Sequence, residues 1–369
     1  MGLLSNNKYY SLDRILDYNA TYNVIFGERS NGKTYSVLKY GLKQFIDTGE
    51  QMAIIRRWSE DIKGRRASEI FSGIKANNEV YKLSRGVYSG IYYRAGKYFL
   101  CTYDDDDRPV YNDNDCFAYI FAVSEGEHNK SISYPRVSTI LFDEFITKGI
   151  YLPDEFVLFM NVLSTIIRDR KDVKIFMLGN TVSKHCPYFK EMGLVNVTTM
   201  QQGTIDLYKY GDSNLTVAVE YCKSMKKSKS NNHIFAFNNP KLEMITSGAW
   251  ELGVYPHLPK KYKPKDIYLT YFIEFDCNWF QCEIIEDEET GDMFTYIHRK
   301  TTELQDIDND IVYSLRDSHR FNWTKNIFKI HTKVGKKIAW FFQCDKVFYQ
   351  DNEVGDMINK YLQICKRGV

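Results

Sequence analysis

One octapeptide near the N-terminus constrains the fold of this chain more than any other feature. It reads Gly27-Glu28-Arg29-Ser30-Asn31-Gly32-Lys33-Thr34 and matches G-x-x-x-x-G-K-[ST] at every fixed position. An apolar run over 22–26 predicts a buried strand before it, and apolar residues at helical spacing over 33–46 predict a helix after it. Backbone amides in such a strand, loop and helix bind phosphate oxygens. The octapeptide therefore predicts a P-loop; the alternative is a glycine-containing turn before a surface helix.

Each position of the loop has an expected role in binding ATP and Mg²⁺. Gly27 and Gly32 permit backbone angles and close approaches that a Cβ would block. Lys33 should reach the β- and γ-phosphates, and Thr34 should bind Mg²⁺ through its hydroxyl. The remaining positions are expected to surround the phosphates with their backbone: Glu28, Arg29, Ser30 and Asn31.

Length, charge and cysteine content limit the classes of protein to which this chain can belong. The chain has 369 residues, which favours two domains, and a net charge of +2, so nucleic-acid contacts must come from local basic patches. Its eight cysteines show no C-x-x-C pair or zinc spacing, which is typical of a reducing cytosol. We recognise no signal peptide and no apolar run of about 18 residues, and so predict no membrane segment.

The order of predicted elements indicates an α/β fold with a smaller second domain. Strand-like and helix-like runs alternate through the first two hundred residues, which predicts a mostly parallel sheet and an ATPase domain over 1–224. A polar, basic stretch and a proline-containing hinge predict a linker over 225–262. Three consecutive strands over 267–275, 279–285 and 293–299 then predict an α+β domain over 263–369.

A second motif supplies the acids that a P-loop needs. The apolar run Thr139-Ile140-Leu141-Phe142 predicts a buried parallel strand, and Asp143-Glu144 follow at its carboxyl end, where ligands of open α/β sheets collect. Asp143 should hold Mg²⁺ through an intervening water. Glu144 should deprotonate the attacking water, a base that a small-molecule kinase would not need. The alternative is a strand capped by two solvated acids.

Two further positions complete the predicted catalytic set. Asn180 ends the next strand at the same edge, where it can hydrogen-bond the γ-phosphate or the water; a β-to-loop asparagine turn is the alternative. Arg168 ends the preceding helix on the far side of the sheet, so it is placed to reach a neighbouring subunit's ATP and not its own. A cation favoured by the helix dipole is the alternative there.

Other cations form candidate contacts with phosphates or DNA. Arg56 and Arg57 end the second strand. We expect Arg56 to approach the nucleotide phosphates or to brace the P-loop, and Arg57 to point outward to DNA. Lys63, Arg65 and Arg66 follow as DNA-backbone candidates, with a solvated basic loop as the equal alternative. Lys130 is a candidate cation across a subunit boundary. The run 104–107 of four aspartates is interpreted as a solvated turn, with a metal site as the alternative.

Three blocks together resemble the DNA-packaging ATPases of small short-tailed bacteriophages with protein-capped genomes. The resemblance covers roughly residues 8–190 and rests on Gly49-Glu50-Gln51 leading to Ile55-Arg56-Arg57, on Tyr134-Pro135-Arg136-Val137-Ser138-Thr139-Ile140-Leu141-Phe142-Asp143-Glu144-Phe145, and on Asn180-Thr181-Val182-Ser183. It implies that Lys33 is the family's P-loop lysine, Asp143 and Glu144 its acidic pair, Arg168 its trans-acting arginine and Lys130 its intersubunit lysine.

The resemblance also implies partners and a location. Family members form a homo-oligomeric ring, usually a pentamer, at the portal vertex of a procapsid in the host cytoplasm. The ring drives double-stranded DNA inward by hydrolysing ATP with Mg²⁺, and the motor is expected to be absent from the mature virion. Some relatives dock through a packaging RNA, so an RNA partner stays open here.

The family is related to large terminases, whose second domain is a ribonuclease-H-like nuclease. In the small-phage branch that domain has generally lost its catalytic acids, so we expect a vestigial domain that docks to the portal or capsid. The acids that a nuclease would need are Asp276, Asp317, Asp345 and Asp351. A basic patch in the same domain is a candidate DNA contact, with an ordinary solvated face as the equal alternative: Lys325, Lys329, Lys333, Lys336 and Lys337. An active packaging nuclease and a non-hydrolysing nucleotide switch are the alternative functions.

Overall fold

A computed structural model describes the chain over residues 9–125, 133–147, 149, 151–181, 186–211, 213–223, 253–288, 290–329 and 332–367. Contacts divide the chain into two compact units, residues 1–251 and 252–369. Most of the predicted linker over 225–262 lies outside the described residues, and its bounds stay a prediction.

The described part of the first unit contains ten strands and seven α-helices. The strands are β1 (Tyr22–Gly27), β2 (Gln51–Arg56), β3 (Gly90–Arg94), β4 (Lys97–Tyr103), β5 (Pro109–Val110), β6 (Cys116–Ala122), β7 (Val137–Asp143), β8 (Lys174–Asn180), β9 (Ile205–Lys209) and β10 (Thr216–Tyr221). The helices are α1 (Asp13–Leu16), α2 (Lys33–Thr48), α3 (Gly64–Ser68), α4 (Ser72–Ala76), α5 (Glu79–Leu83), α6 (Glu155–Ile167) and α7 (Pro187–Glu191).

The ten strands form one sheet whose centre is parallel. The order is β3-β4-β6-β2-β7-β8-β1-β10-β9, with β5 paired to β4. Every pair from β6 to β10 along this order is parallel, and the antiparallel pairs lie toward the two ends. The predicted α/β fold with a mostly parallel sheet is therefore confirmed.

Helices cover both faces of the sheet because successive strand residues point to opposite sides. Ile25 and Leu141 pack in the core that contains α2, whereas Val24 and Phe142 pack in the core that contains α6. Strands buried on both faces read as continuous apolar runs, which is why β1 and β7 could be predicted from sequence. Among the described residues no helix is long and apolar enough to cross a membrane.

The second unit is a six-stranded mixed sheet with two helices among its described residues. Its strands are β11 (Ile267–Phe275), β12 (Asn278–Glu286), β13 (Met293–Arg299), β14 (Val312–Ser314), β15 (Trp323–Thr324) and β16 (Val347–Tyr349), and its helices are α8 (Lys333–Gln343) and α9 (Asn352–Lys366). The order is β15-β14-β11-β12-β13-β16. The first three strands are antiparallel, as predicted, and β14 runs parallel to β11.

Candidate nucleotide-binding site

The carboxyl ends of β1, β7 and β8 bring the predicted site residues to one edge of the sheet. Gly27 at the end of β1 is in register with Asn180 at the end of β8, and Asp143 on β7 is in register with Leu178. A cleft of about 500 Å³ opens at this edge. It is lined by Arg29, Ser30, Asn31, Gly32, Lys33, Thr34, Tyr35, Asp143, Glu144, Leu178, Gly179 and Asn180.

The two glycines of the loop are required by backbone conformation and by space. Gly27 has a φ of 155° and Gly32 a φ of 93°, and Gly32 is the residue immediately before α2. A Cβ on Gly27 would lie 2.9 Å from the Cβ of Cys222, which no side chain tolerates. The predicted roles of both glycines are therefore explained by this structure.

Lys33 is held inside the loop by oxygen atoms. Its Nζ donates to the backbone oxygen of Glu28 at 2.7 Å, to Oδ1 of Asn31 at 3.2 Å and to Oδ1 of Asn180 at 3.5 Å. Burial lowers the pKa of Lys33, and the nearby charge of Asp143 works in the opposite direction. An anionic phosphate at this position would stabilise the charged ammonium.

Thr34 and Asp143 present adjacent oxygen atoms across the cleft. The Thr34 hydroxyl donates to Oδ1 of Asp143 at 3.1 Å, and Oδ2 of Asp143 forms an ion pair with Arg56 at 3.1 Å. Burial raises the pKa of Asp143, while the Arg56 guanidinium lowers it. A hydroxyl and a carboxylate at hydrogen-bond separation are hard oxygen donors of the kind that Mg²⁺ prefers, so these residues fit the metal.

Glu144 points from the end of β7 toward solvent. Its side chain is 67% exposed and lies 3.3 Å from Arg56, and its backbone has a φ of 61°. The backbone oxygen of Glu144 accepts from Arg57 at 3.2 Å, and the next amide, of Phe145, donates to Leu178 on β8 at 3.1 Å. The main chain is thus anchored while the carboxylate remains accessible to water.

Arg57 is not available to DNA, so that prediction is wrong. Its side chain is only 7% exposed, and its Nε donates to both carboxylate oxygens of Glu155, at 2.8 and 3.0 Å. Its Nη atoms donate to the backbone oxygens of Glu144 and Phe145. The alternation of strand β2 turns Arg57 away from Arg56 and toward α6, which the sequence alone did not reveal.

Arg168 lies at the edge of the sheet opposite the P-loop, where the strands such as β7 begin, as its position in the sequence predicted. Helix α6 begins at Glu155, beside Arg57, and ends at Ile167. Arg170, two residues after Arg168, donates to the backbone oxygens of Pro135 and Val137 at the start of β7. Arg168 itself is exposed and has a φ of 52°. Its predicted action on a neighbouring nucleotide stays a prediction.

The remaining predicted cations have mixed outcomes. Lys63 pairs with Glu125 at 2.8 Å and Arg66 pairs with Asp61 at 2.9 Å, while Arg65 is exposed at the start of α3. These pairs are on the surface and contribute little to stability, so a nucleic-acid backbone can compete for the cations. Lys130 lies outside the described residues, as do Val182 and Ser183.

The segment before α1 is a part of the site that sequence reasoning missed. The backbone amide of Tyr10 donates to the backbone oxygen of Asn31 at 2.9 Å, and the Tyr10 hydroxyl donates to Glu220 on β10 at 2.6 Å. The Ser36 hydroxyl on α2 donates to the backbone oxygen of Tyr10 at 2.5 Å. No local pattern signals these contacts, because each joins residues that are far apart in the sequence.

In the second unit two of the four candidate nuclease acids, Asp317 and Asp351, have separate structural partners. Asp317 pairs with Lys325 at 2.6 Å, and Asp351 caps α9 by accepting from the amide of Val354 at 2.8 Å. Within the described ranges no three His, Cys, Asp or Glu side chains are grouped so that they could hold a metal ion. A buried acid on these strands is Glu274, which accepts from Ser314 at 2.5 Å and pairs with Arg316 at 3.0 Å.

Comparison with known proteins decides the family. The model of the podovirus DNA encapsidation protein (Gp16) family matches residues 4–244. The chain belongs to this family. The resemblance inferred from the three sequence blocks is thereby confirmed.

The curated relatives of this Gp16 family member carry one description. The DNA packaging proteins of Bacillus phages phi29 and B103 are 29% and 30% identical to it over 195 and 186 residues. These matches cover 52% of this chain and 52% of the phi29 protein, and 49% and 50% in the B103 case. The chain thus spans about half the length of the curated relatives it matches.

Two solved structures share the fold over nearly the whole chain. One is the Phi-28 gp11 DNA packaging motor, at 19% identity and a TM-score of 0.52, covering 98% of this chain and 99% of that chain. The other is the bacteriophage Phi-29 viral genome packaging motor assembly, at 18% identity and a TM-score of 0.57, covering 95% and 98%. At these identities the likeness shows the fold.

Proposed function

We propose that this chain is an ATP-hydrolysing motor subunit that moves double-stranded DNA into a viral procapsid. The observation that carries the proposal is the contact between Thr34 and Asp143, 3.1 Å apart, with Glu144 next on the same strand end. A site that only bound nucleotide would not need the exposed carboxylate of Glu144 beside the Mg²⁺ donors. Membership of a DNA encapsidation family supports DNA as the transported substrate.

The strand order supports a P-loop ATPase of the ASCE class. Strand β8 lies between β1, which leads into the P-loop, and β7, which carries the acids. This insertion is typical of ASCE proteins, and the glutamate after the first acid is their usual base. Asn180 ends β8 and therefore lies between the P-loop and the acids, where its amide can bind the γ-phosphate.

The residues of the cleft divide the chemistry among them. The Lys33 ammonium neutralises phosphate oxygens, and the oxygens of Thr34 and Asp143 would hold Mg²⁺, which offsets phosphate charge when bound. The Glu144 carboxylate takes a proton from the attacking water. Arg56 contacts both Asp143 and Glu144, so we propose that it sets the direction of the two carboxylates as well as approaching the phosphates.

Each site is completed by a neighbour in a homo-oligomeric ring, for which we expect five subunits. The position of Arg168 on the far side of its own sheet supports this, because it leaves the guanidinium far from its own P-loop. The exposed face of α6 that leads to Arg168 also carries the apolar side chains of Val157 and Met160. A cation supplied from the adjacent subunit can raise hydrolysis by about 10³- to 10⁵-fold.

The partners follow from a packaging role. We propose that Lys63, Arg65 and Arg66 contact the DNA backbone and that the ring docks at the portal vertex of the procapsid. An RNA between ring and portal is an open variant of the same proposal. Such a motor works in the host cytoplasm and leaves the capsid when packaging ends.

For the second unit we propose a ribonuclease-H-like fold without nuclease activity. Three antiparallel strands followed by a strand parallel to the first support this fold. At the position where such nucleases place acids on neighbouring strands, Glu274 faces Ser314 in register, and Arg316 supplies the positive charge beside it. A guanidinium in this place favours a structural role over two-metal cleavage.

The glutamine variant of Glu144 tests hydrolysis. Glu144→Gln keeps the shape of the side chain but removes the base, so ATP binding should persist while DNA-stimulated turnover falls by about 10²- to 10⁴-fold. ATP affinity and steady-state hydrolysis are measured on the full chain with portal-bearing procapsids and DNA.

Glu50→Gln is the matched control for this variant. Glu50 is a glutamate that precedes β2 at the opposite edge of the sheet and accepts from Ser138. Its variant should retain turnover. Wild-type hydrolysis by Glu144→Gln would contradict the proposed mechanism.

A further inference from the structure

A buried ion pair joins three parts of the hydrolytic unit. Arg57 follows β2, and Glu155 begins α6, 98 residues later. The Arg57 guanidinium also donates to the backbone oxygens of Glu144, at 3.2 Å, and Phe145, at 2.7 Å, directly after β7. One side chain therefore connects the end of β2, the loop that carries Glu144 and the first residue of α6.

The surroundings of Glu155 fix its carboxylate in a single direction. Its Oε1 accepts from the Tyr188 hydroxyl at 2.9 Å, and its Oε2 accepts from the backbone amide of Leu152 at 2.8 Å. The Arg57 guanidinium lies over the ring of Tyr151, 5.0 Å from its centroid. All remaining directions are occupied by protein, and Glu155 is only 2% exposed.

Stability alone is a weak reason for such a pair. Taking two charges out of water costs about as much as their attraction returns, so apolar side chains of similar volume often serve equally well. The ion pair differs from an apolar contact in its direction, because a planar guanidinium binds each acceptor at a defined angle. Its contribution is therefore to the position of the segments it joins.

Helix α6 carries that position to Arg168. It is a regular helix of 13 residues, about 20 Å long, and the core on one face of the sheet packs against its inner side chains. Its far end is attached by Arg170 to the start of β7. A displacement of the Glu144 loop is therefore transmitted through Arg57 and Glu155 to α6, and from there to Arg168, which lies between the helix and this attachment.

We propose that Arg57 and Glu155 are positioning residues that couple the hydrolytic loop of a subunit to its own Arg168. Arg168 then acts on the neighbour's nucleotide, so the state of one site adjusts the next through α6. This inference rests on the proposed function, in which Arg168 works in trans.

The test uses full-length chains mixed in one ring with DNA and procapsids. Donor chains carry Lys33→Ala and keep Arg168; acceptor chains carry Arg168→Ala and keep the P-loop. Where the two meet in the right order, a complete site forms and ATP hydrolysis recovers. Glu155→Gln is then added either to the donor or to the acceptor.

The coupling predicts an asymmetric result. Recovered turnover should fall about tenfold when the donor carries Glu155→Gln. It should fall less when the acceptor carries it, because Arg57 still donates to the backbone oxygens of Glu144 and Phe145 there. Tyr188→Phe removes one hydrogen bond from Glu155 and should show the same asymmetry with a smaller loss, which keeps the test available if Glu155→Gln folds poorly.

Glu79→Gln is the matched control. Glu79 is also a buried glutamate in the first turn of a helix, and it accepts from the hydroxyl of Tyr35 and pairs with Lys39. The loss of recovered turnover should be no larger when the donor carries Glu79→Gln than when the acceptor carries it, because Tyr35 lines the acceptor's own cleft. Equal losses for Glu155→Gln would overturn the inference while leaving the trans role intact, whereas no recovery in the unmodified mixture of assembled rings would overturn the trans role and the inference with it.

Discussion

The hydroxyl of Thr34 lies 3.1 Å from the carboxylate of Asp143, although 109 residues separate them. The contact exists because α2 begins at the P-loop and β7 ends at the same edge of the sheet. It defines the centre of the proposed ATPase site and sets the expectations below.

Arg56 is expected to matter for turnover more than for binding. Arg56→Gln removes the cation that contacts both Asp143 and Glu144, so the two carboxylates lose their orientation. We expect DNA-stimulated kcat to fall about tenfold or more, and ATP affinity to fall by a smaller factor, because Arg56 is also expected to approach the phosphates. Arg94→Gln, an exposed arginine at the end of β3, is the control and should behave as wild type. Equal losses in kcat and in affinity would contradict an orienting role.

Binding of ATP with Mg²⁺ should be strongest at intermediate pH. Burial lowers the pKa of Lys33 below its ordinary value, so the ammonium that attracts phosphate is lost, and affinity falls, as pH rises through that lowered pKa. Burial raises the pKa of Asp143, so the carboxylate is protonated, and affinity falls, as pH drops through that raised pKa.

Calorimetry in buffers of different ionisation enthalpy checks both signs. Binding should take up protons at the alkaline end, because phosphate favours the charged Lys33, and release protons at the acidic end, because Mg²⁺ favours the charged Asp143. Asp143→Asn should abolish the proton release at the acidic end and leave the proton uptake at the alkaline end. Proton release at the alkaline end would show that Lys33 is not the group that titrates there.

Gly179 is expected to be intolerant of a side chain. A Cβ there would lie 2.6 Å from Cδ1 of Ile146 and 3.1 Å from Cε1 of Phe145, in the loop that follows Glu144. Gly179→Ala should lower the free energy of unfolding by about 1–3 kcal/mol through overpacking. Combined with Ile146→Ala, which removes the clashing atoms, it should cost less than the sum of the single changes. Strict additivity in denaturant unfolding would contradict this contact.

Replacing Glu274 by alanine should lower the free energy of unfolding more than replacing it by glutamine. Glu274→Gln keeps an oxygen for the Ser314 hydroxyl, and Arg316 is largely exposed, so we expect a cost below about 1 kcal/mol. Glu274→Ala leaves a buried hydroxyl without its acceptor and should cost about 1–3 kcal/mol. Thermal unfolding measures both, and a larger cost for glutamine than for alanine would contradict this view.

The sequence predicted which residues lie together at the cleft where the signal is local. The P-loop, the acids after β7 and the asparagine after β8 each follow an apolar run, and parallel strands necessarily bring such ends to one edge. Strand bounds differed by a residue at each end in one case: 279–285 was predicted as a strand, and β12 covers Asn278–Glu286.

Arg57 shows where this reasoning stops. An arginine after a strand is equally compatible with DNA and with a buried partner, and only the position of Glu155, 98 residues away, distinguishes the two. The support of the P-loop by Tyr10 is another contact of this kind. Interactions between distant segments have no signature in a single sequence.

Arg56 and Arg57 are neighbours in the chain, but their side chains point to opposite faces of the sheet. The first turns to the cleft and the second to α6, because side chains at a strand end alternate between the two faces. Inserting or deleting a single residue within β2 would exchange their directions, placing the buried arginine in the cleft and the arginine of the cleft under the helix. The number of residues in β2 is therefore constrained together with the residues of the cleft. A variant made by shuffling or grafting this domain must change that number only in steps of two.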